Sequence, residues 1–337
     1  MKFRARYFIV FAMSAMPSIP VLTTPPEDAS IATGSDGFFA FYSSLYEAII
    51  TDVRYMQVPV SDHLVHRGDG VFETLKCVDG RIYCLEAHLD RLLDSARQID
   101  LAPPCEREAL RHIILATTQA GGHRSCMVRV LLSRGPGGMG VSPAECLRAG
   151  LYVLVHAFIT PFMENHPGGA HLVICDVPVK AGFFATIKTC NYLPNALLKK
   201  AALDRGADFA VNFDEEGWLA EGATENIGIV GRDRVLRIPG PGRILPGTTM
   251  QRACALAKTL VDDGALSGVK ESNISRIELE QATEILVFGT TANVTSVTRL
   301  DGQPVGEGRP GTVALRLDAL LRAEQSGDNA FTTRAFT

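Results

Sequence analysis

Apolar positions along this chain change period several times, and each change marks an element. Val71-Phe72-Glu73-Thr74-Leu75-Lys76-Cys77-Val78 alternates apolar and polar residues, as a strand does when its two faces differ. Asp79-Gly80 is a hairpin turn, and Arg81-Ile82-Tyr83-Cys84-Leu85 answers as the return strand. Leu89, Leu92, Leu93, Ala96 and Ile99 then recur at helical spacing, which predicts a helix over 86–99. A second helix is predicted over 106–120, stopped by Gly121-Gly122. Strands follow at 127–133 and 151–158, separated by the glycine-rich loop 135–140.

Residues 161–169 are polar, hold two prolines and a glycine pair, and read as a linker. Beyond them the pattern predicts strands at 172–177, 208–213, 217–221 and 226–230. A short apolar strand at 284–288 runs into Gly289-Thr290-Thr291. Helices are expected over 194–204, 249–261 and 312–322; the first carries Pro194 in its opening turn and Gly206 past its end. Residues 1–35 show no period and read as a poorly ordered arm, and 327–337 as a tail. This gives an α/β (α+β) chain of two domains, 36–160 and 170–326, joined at 161–169.

At 337 residues and 46% hydrophobic composition, the chain can bury a sizeable core without staples. The formal charge of -4 comes with no basic tract, which argues against nucleic acid as a partner. Eight scattered cysteines, none in a paired motif, read as buried thiols of a reducing compartment. The basic and apolar start of the chain has the outline of a short signal segment or of an upstream extension. The latter reading, and a cytoplasmic location, is preferred. No segment has about eighteen uninterrupted apolar residues, so no membrane span is expected. His63, His66, Asp69 and His88 lack metal-ligand spacing, and no metal is expected. The 135–140 loop lacks the Lys-Ser/Thr of a phosphate-binding P-loop and is read instead as a flexible loop at a site mouth.

Chemistry concentrates around Lys188, three residues ahead of Asn191-Tyr192 and just before a helix, and around Glu221 on a strand edge. A lysine that can form a Schiff base and a carboxylate that can hold a pyridinium proton are what a pyridoxal phosphate enzyme needs most. Thr248 and Thr249 sit where Pro246-Gly247 opens a helix, a natural anion site. Arg129 lies mid-strand among apolar neighbours and needs an anionic partner, either a structural carboxylate or a substrate.

Several motifs occur in a fixed order: His66-Arg67-Gly68-Asp69-Gly70-Val71-Phe72-Glu73-Thr74, His88-Leu89-Asp90-Arg91-Leu92, Lys188 with Asn191-Tyr192, Glu221 with Asn226, Leu245-Pro246-Gly247-Thr248-Thr249, and Gly289-Thr290-Thr291-Ala292. On these the chain resembles the fold-type IV pyridoxal phosphate enzymes, the class IV aminotransferases, over roughly 40–325. That family contains branched-chain aminotransferase, D-amino-acid transaminase and aminodeoxychorismate lyase. The resemblance implies a small two-layer α/β N-terminal domain and a larger pseudo-β-barrel C-terminal domain that binds pyridoxal 5′-phosphate, in a homodimer. It implies that Lys188 carries the cofactor, Glu221 faces the ring nitrogen and Tyr192 the ring hydroxyl. Arg91, Thr248, Thr249 and Thr290 would hold the phosphate, and Arg129, Thr291 and Ala292 would meet the substrate. The implied activity is amino transfer from an amino acid, branched-chain by preference, to 2-oxoglutarate. D-Amino-acid transamination, pyruvate elimination as in the lyase, or an idle scaffold are the alternatives.

Overall fold

The computed structural model describes residues 37–178, 180 and 182–336, so the arm at 1–35 lies outside the described residues. The chain runs β1 (Phe38–Ser43), β2 (Ala48–Ile50), α1 (His63–Arg67), β3 (Gly70–Val78), β4 (Arg81–Tyr83), α2 (Leu85–Gln98), α3 (Arg107–Ala120), β5 (Cys126–Ser133) and β6 (Gly150–Ala157). It continues α4 (Phe162–Asn165), β7 (Ala170–Ile174), α5 (Leu193–Asp204), β8 (Phe209–Phe213), β9 (Leu219–Gly222), β10 (Asn226–Val230), β11 (Val235–Pro239) and α6 (Thr248–Asp262). It ends β12 (Gly268–Ser272), α7 (Arg276–Glu280), β13 (Glu284–Gly289), β14 (Asn293–Leu300), β15 (Gln303–Pro304), α8 (Thr312–Ser326) and β16 (Thr332–Arg334).

The six strands before residue 160, with β16 from the end of the chain, build a seven-stranded sheet in the order β16-β4-β3-β5-β6-β1-β2. The outer member is β16, which falls in the stretch read as a tail and pairs antiparallel with β4. The hairpin turn at Asp79-Gly80 has φ of 49° and 84°, the two left-handed residues that a two-residue loop demands. Period-2 alternation then sends Val71, Leu75 and Cys77 to one face of β3, where they meet Leu85, Leu89, Leu92 and Ala96 of α2 in a single core. Full burial of each such leucine contributes roughly 2 kcal/mol. Phe72, Thr74 and Lys76 emerge on the opposite face.

Strands after 169 form a nine-stranded mixed sheet, β12-β11-β10-β13-β14-β7-β8-β9, with β15 on β14. Its two ends approach each other. The Leu219 N–H at the start of β9 donates to the Ile274 carbonyl just past β12 at 2.8 Å, and Trp218 bridges Ser275. The sheet therefore curls towards closure, and helices α6 and α8 pack on one side of it against Leu286, Phe288 and Val294. The stretch read as a linker contains the single turn α4, whose Phe162 stacks on His166 at 4.3 Å and meets Phe209 at a tilt at 5.1 Å. No described helix is long and apolar enough to cross a membrane.

Candidate active site

Strand β4 is shorter than β3, so beside Gly70–Phe72 one edge of β3 is open. Residues 188–190 fill it. The Phe72 N–H donates to the Lys188 carbonyl at 2.9 Å, the Cys190 N–H to the Gly70 carbonyl at 2.8 Å, and Val71 bridges Thr189. These backbone bonds fix Lys188 on a rigid strand edge rather than on a free loop. Its ammonium lies 4.7 Å from the centre of the Phe72 ring and 3.5 Å from the Tyr192 hydroxyl. The side chain is buried. That burial, reinforced by the Arg91 charge, brings the Lys188 amine down to about 8.

Tyr192 caps α5 and sets its ring edge-on to Phe72 at 4.9 Å. Burial, with Glu221 nearby, pushes its hydroxyl well above the ordinary range, so it stays protonated and can donate. Glu221 takes the Leu245 N–H on Oε2 at 3.0 Å, and Oε1 remains to accept a second donor. Burial raises its carboxyl, while Lys180 and Lys188 oppose that rise. Lys180 had no role in the sequence reading, yet its ammonium stands 5.0 Å from the Tyr192 ring.

Leu245-Pro246-Gly247 is pinned from both sides. Besides Glu221, Asn226 donates its side-chain amide to the Leu245 carbonyl at 2.9 Å. A Cβ on Gly247 would lie 1.8 Å from Asn226 Oδ1, so only glycine fits this turn. Gly247 also caps α6 without a side chain, which leaves the N–H groups of the first turn, Thr248 and Thr249, without a side-chain cap. Both threonines are buried there. Unsatisfied amides at the head of a 15-residue helix suit an anion.

Arg91 reaches the same place from α2, but it is not free. Its Nε–H donates to Glu73 Oε1 at 2.7 Å, one terminal N–H to Glu73 Oε2 at 2.8 Å, and another to the Pro246 carbonyl at 3.0 Å. A guanidinium has about five donors, so two remain for a ligand. Glu73, on the α2 face of β3, also accepts from His88 Nδ1 at 2.7 Å, and His88 Nε2 stands 3.4 Å from the Thr248 hydroxyl. Burial pushes the Glu73 carboxyl up, but Arg91 and His88 more than reverse this and hold it far below the usual range. Sequence reasoning missed Glu73 and His88 as partners of Arg91, although both lie in the quoted motifs. The i, i+3 spacing of His88 and Arg91 puts them on one helix face, which was the available signal.

Thr290, Thr291 and Ala292 form the three-residue turn between β13 and β14, and Gly289 pairs with Asn293 across it. Asn293 is left-handed (φ 54°) and its Oδ1 accepts from Lys76 Nζ at 2.7 Å and from Gln325 at 3.1 Å. No hydrogen bond joins this turn to Lys188, Tyr192 or Arg91 among the described residues. Arg129 shares the Phe72 face of the first sheet: it pairs with Thr74, and its guanidinium carbon lies 5.1 Å from the Phe72 ring centre. Its Nε is buried without a hydrogen-bond partner, and burial lowers its pKa, with Tyr192 opposing. Of the two partners considered for Arg129, a structural carboxylate is absent among the described residues. The glycine-rich loop read as flexible is tied down: His63 Nε2 meets the Gly138 carbonyl at 2.9 Å, Arg67 Nε–H donates to the Gly140 carbonyl at 3.0 Å, and the Gly137 N–H to the Ser61 carbonyl at 3.0 Å.

A buried low-pKa amine, a protonated phenol, a carboxylate with an open oxygen and a helix-head anion site beside a partly free arginine together fit a flat, phosphate-bearing heteroaromatic carbonyl compound. Comparison with known proteins agrees with this chemistry. Residues 70–300 match the family Amino-transferase class IV. The chain is 36% identical to the chloroplastic D-amino-acid transaminase of Arabidopsis thaliana, over 92% of this chain and 83% of that one. It is 31% identical to the branched-chain-amino-acid aminotransferase of Pseudomonas aeruginosa, over 81% and 89%. The T.th. branched-chain amino acid aminotransferase, solved with pyridoxamine 5′-phosphate, superposes with a TM-score of 0.82 at 28% identity, covering 89% of this chain and all of that one. The buried lysine, the open carboxylate and the anion-ready helix head thus belong to a member of the class IV amino-transferase family, a pyridoxal phosphate-dependent aminotransferase.

Proposed function

We propose that this enzyme moves the amino group of a branched-chain amino acid to 2-oxoglutarate, with Lys188 as cofactor carrier and proton shuttle. When bound, pyridoxal phosphate supplies an electron-withdrawing ring that stabilises negative charge at the substrate α-carbon. The residues present fit it. Arg91 with its two open N–H groups, Thr248, Thr249 and Thr290 would hold the phosphate. Glu221 Oε1 would accept the ring N–H, and the Tyr192 hydroxyl would donate to the ring oxygen. An amine whose pKa is about 8 is partly neutral near physiological pH, so Lys188 Nζ can take the α-proton and return it. Phe72 and the half-buried Tyr192 ring shield that amine from water.

The observation that carries the choice of acceptor is Arg129. A buried guanidinium nitrogen with no partner, beside the same Phe72 ring as Lys188, suits the second carboxylate of a dicarboxylic acid such as 2-oxoglutarate. The backbone of Thr291 and Ala292 is proposed to meet the other carboxylate. Arg129→Gln should raise KM for 2-oxoglutarate at least ~10-fold and leave KM for the branched-chain donor within about 2-fold, a gap of ~1.4 kcal/mol. Equal effects on both would discard the assignment.

A second reading, a D-amino-acid donor, is favoured by the 36% identity to a D-amino-acid transaminase. Glutamate formation from L-leucine, L-valine, D-alanine and D-aspartate, with the chirality of the product determined, decides between the two. Faster turnover of D-alanine than of L-leucine, with D-glutamate as product, would replace the first reading by the second. The proposal includes a homodimer, supported by the outward-facing apolar side chains Val60, Val141 and Leu147, which are 79%, 79% and 97% exposed.

A further inference from the structure

His88 has no part in the chemistry above, yet it is 3% exposed and stands between the Arg91 counter-ion and the head of α6. Its proton arrangement follows from its neighbours. Glu73 is ionised and can only accept, so His88 Nδ1 carries a hydrogen towards Oε2 at 2.7 Å. In a neutral imidazole Nε2 is then an acceptor, and the group facing it is the Thr248 hydroxyl at 3.4 Å. That hydroxyl spends its one hydrogen on His88 and turns only lone pairs to the anion site. A phosphate dianion also offers only acceptors, so the two would oppose each other. In an imidazolium, Nε2–H donates to Thr248 Oγ1 and the hydroxyl hydrogen is released towards the phosphate.

The charges decide when each state holds. Glu73 from β3 and Arg91 from α2 cancel; Lys188 adds positive potential, and α6 contributes the uncharged Thr248 and its amide ends. With no anion bound, nothing offsets a second cation, and burial keeps the imidazole below its ordinary pKa. A phosphate brings about two negative charges into the same buried space, where Arg91 already shares its donors with Glu73. Resting on the phosphate site proposed above, we infer that binding of the cofactor phosphate draws a proton onto His88 and thereby switches the Thr248 hydroxyl from donor toward His88 to donor toward the phosphate. His88 and Glu73 are positioning residues in this scheme.

The linkage has a defined sign. The His88 pKa is higher in the bound state than in the free one, so between those two values affinity falls as pH rises, by up to about tenfold per pH unit. The test uses the full-length chain freed of cofactor and the probe pyridoxine 5′-phosphate, which has the ring and phosphate but no aldehyde to react with Lys188. Calorimetry at about pH 8 in buffers of different ionisation enthalpy counts protons taken up on binding. The wild-type protein should take up about one proton more than His88→Gln, since any ring-nitrogen proton is common to both. Equal counts overturn the inference while leaving the phosphate site in place, and no binding to either protein removes both. Sulfate, a dianion with neither ring nor titration in this range, repeats the test on Lys188→Met with His88 intact, which removes the only other amine near 8 described at this site. Its affinity should weaken between about pH 7 and pH 9, and a flat profile overturns the inference even if His88→Gln does not fold.

Discussion

Lys76 is a cation with 1% of its surface accessible and, among the described residues, one neutral hydrogen-bond partner, Asn293. Burial lowers its pKa from the ordinary 10.5 to about 8, with Asp318 pulling the other way. That difference of about 2.5 units corresponds to roughly 3 kcal/mol against folding while the amine is charged. The sign follows from proton counts. Between pH 8 and 10.5 the unfolded chain binds more protons at this site than the folded one, so stability rises with pH there and the penalty is fully present below 8. Lys76→Met removes the charge at similar volume and loses one hydrogen bond, worth ~1 kcal/mol at any pH. The variant should therefore exceed the wild type by ~2 kcal/mol at neutral pH and fall below it by ~1 kcal/mol near pH 10.5. Chemical denaturation of the cofactor-loaded forms at intervals across this range measures the difference. Subtracting the two proteins cancels the buried cysteines Cys84 and Cys254, whose raised pKa values give the opposite slope. A difference that does not change with pH would refute the reasoning, whatever its size.

Borohydride reduction of the loaded enzyme followed by peptide mapping should find the cofactor on Lys188; label on Lys180, Lys199 or Lys200 would overturn that role. Arg91→Ala should weaken pyridoxal phosphate binding by ~2–3 kcal/mol in a titration of the apo-protein, from loss of charge-assisted contacts. Unchanged affinity would reduce Arg91 to a partner of Glu73. Glu221→Gln should give a coloured protein whose turnover drops at least ~10²-fold, or ~3 kcal/mol; parent-rate turnover would end the case for its electronic role.

Local elements were the legible part of this chain. The Asp79-Gly80 turn and the leucine stripe of α2 depend on neighbours in sequence, and both formed within a residue of the expected bounds. Strand β14, Asn-Val-Thr-Ser-Val-Thr-Arg-Leu, escaped notice because its polar residues are buried: Thr295, Ser296 and Thr298 lie inside the sheet and bond to carbonyls and amides. No alternation survives when both faces are covered. The partly polar edge strand β12 and the five-residue α1 were too short or too hydrophilic for a period to show. In the site, Lys188 and Tyr192 could be picked out because they share one short motif, and Glu221 because it sits in another. Of the Glu73–His88–Arg91 cluster, spacing could put only His88 and Arg91 on one helix face; their joining to Glu73 on a strand depends on side-chain geometry that spacing does not encode. Lys76 looked like the polar member of an alternating strand, and only the packing of α8 and β14 reveals that its face is buried.

Phe72 serves two cations at once, with Lys188 Nζ at 4.7 Å and the Arg129 guanidinium at 5.1 Å from one ring centre. On the proposed roles, the cofactor lysine and the anion receptor share this one ring, whose quadrupole attracts both cations. Drift at this position would change amine basicity and acceptor choice together. Substitutions at 72, 129 and 188 should thus be epistatic, so that new substrate preferences evolve more readily at residues that do not touch this ring.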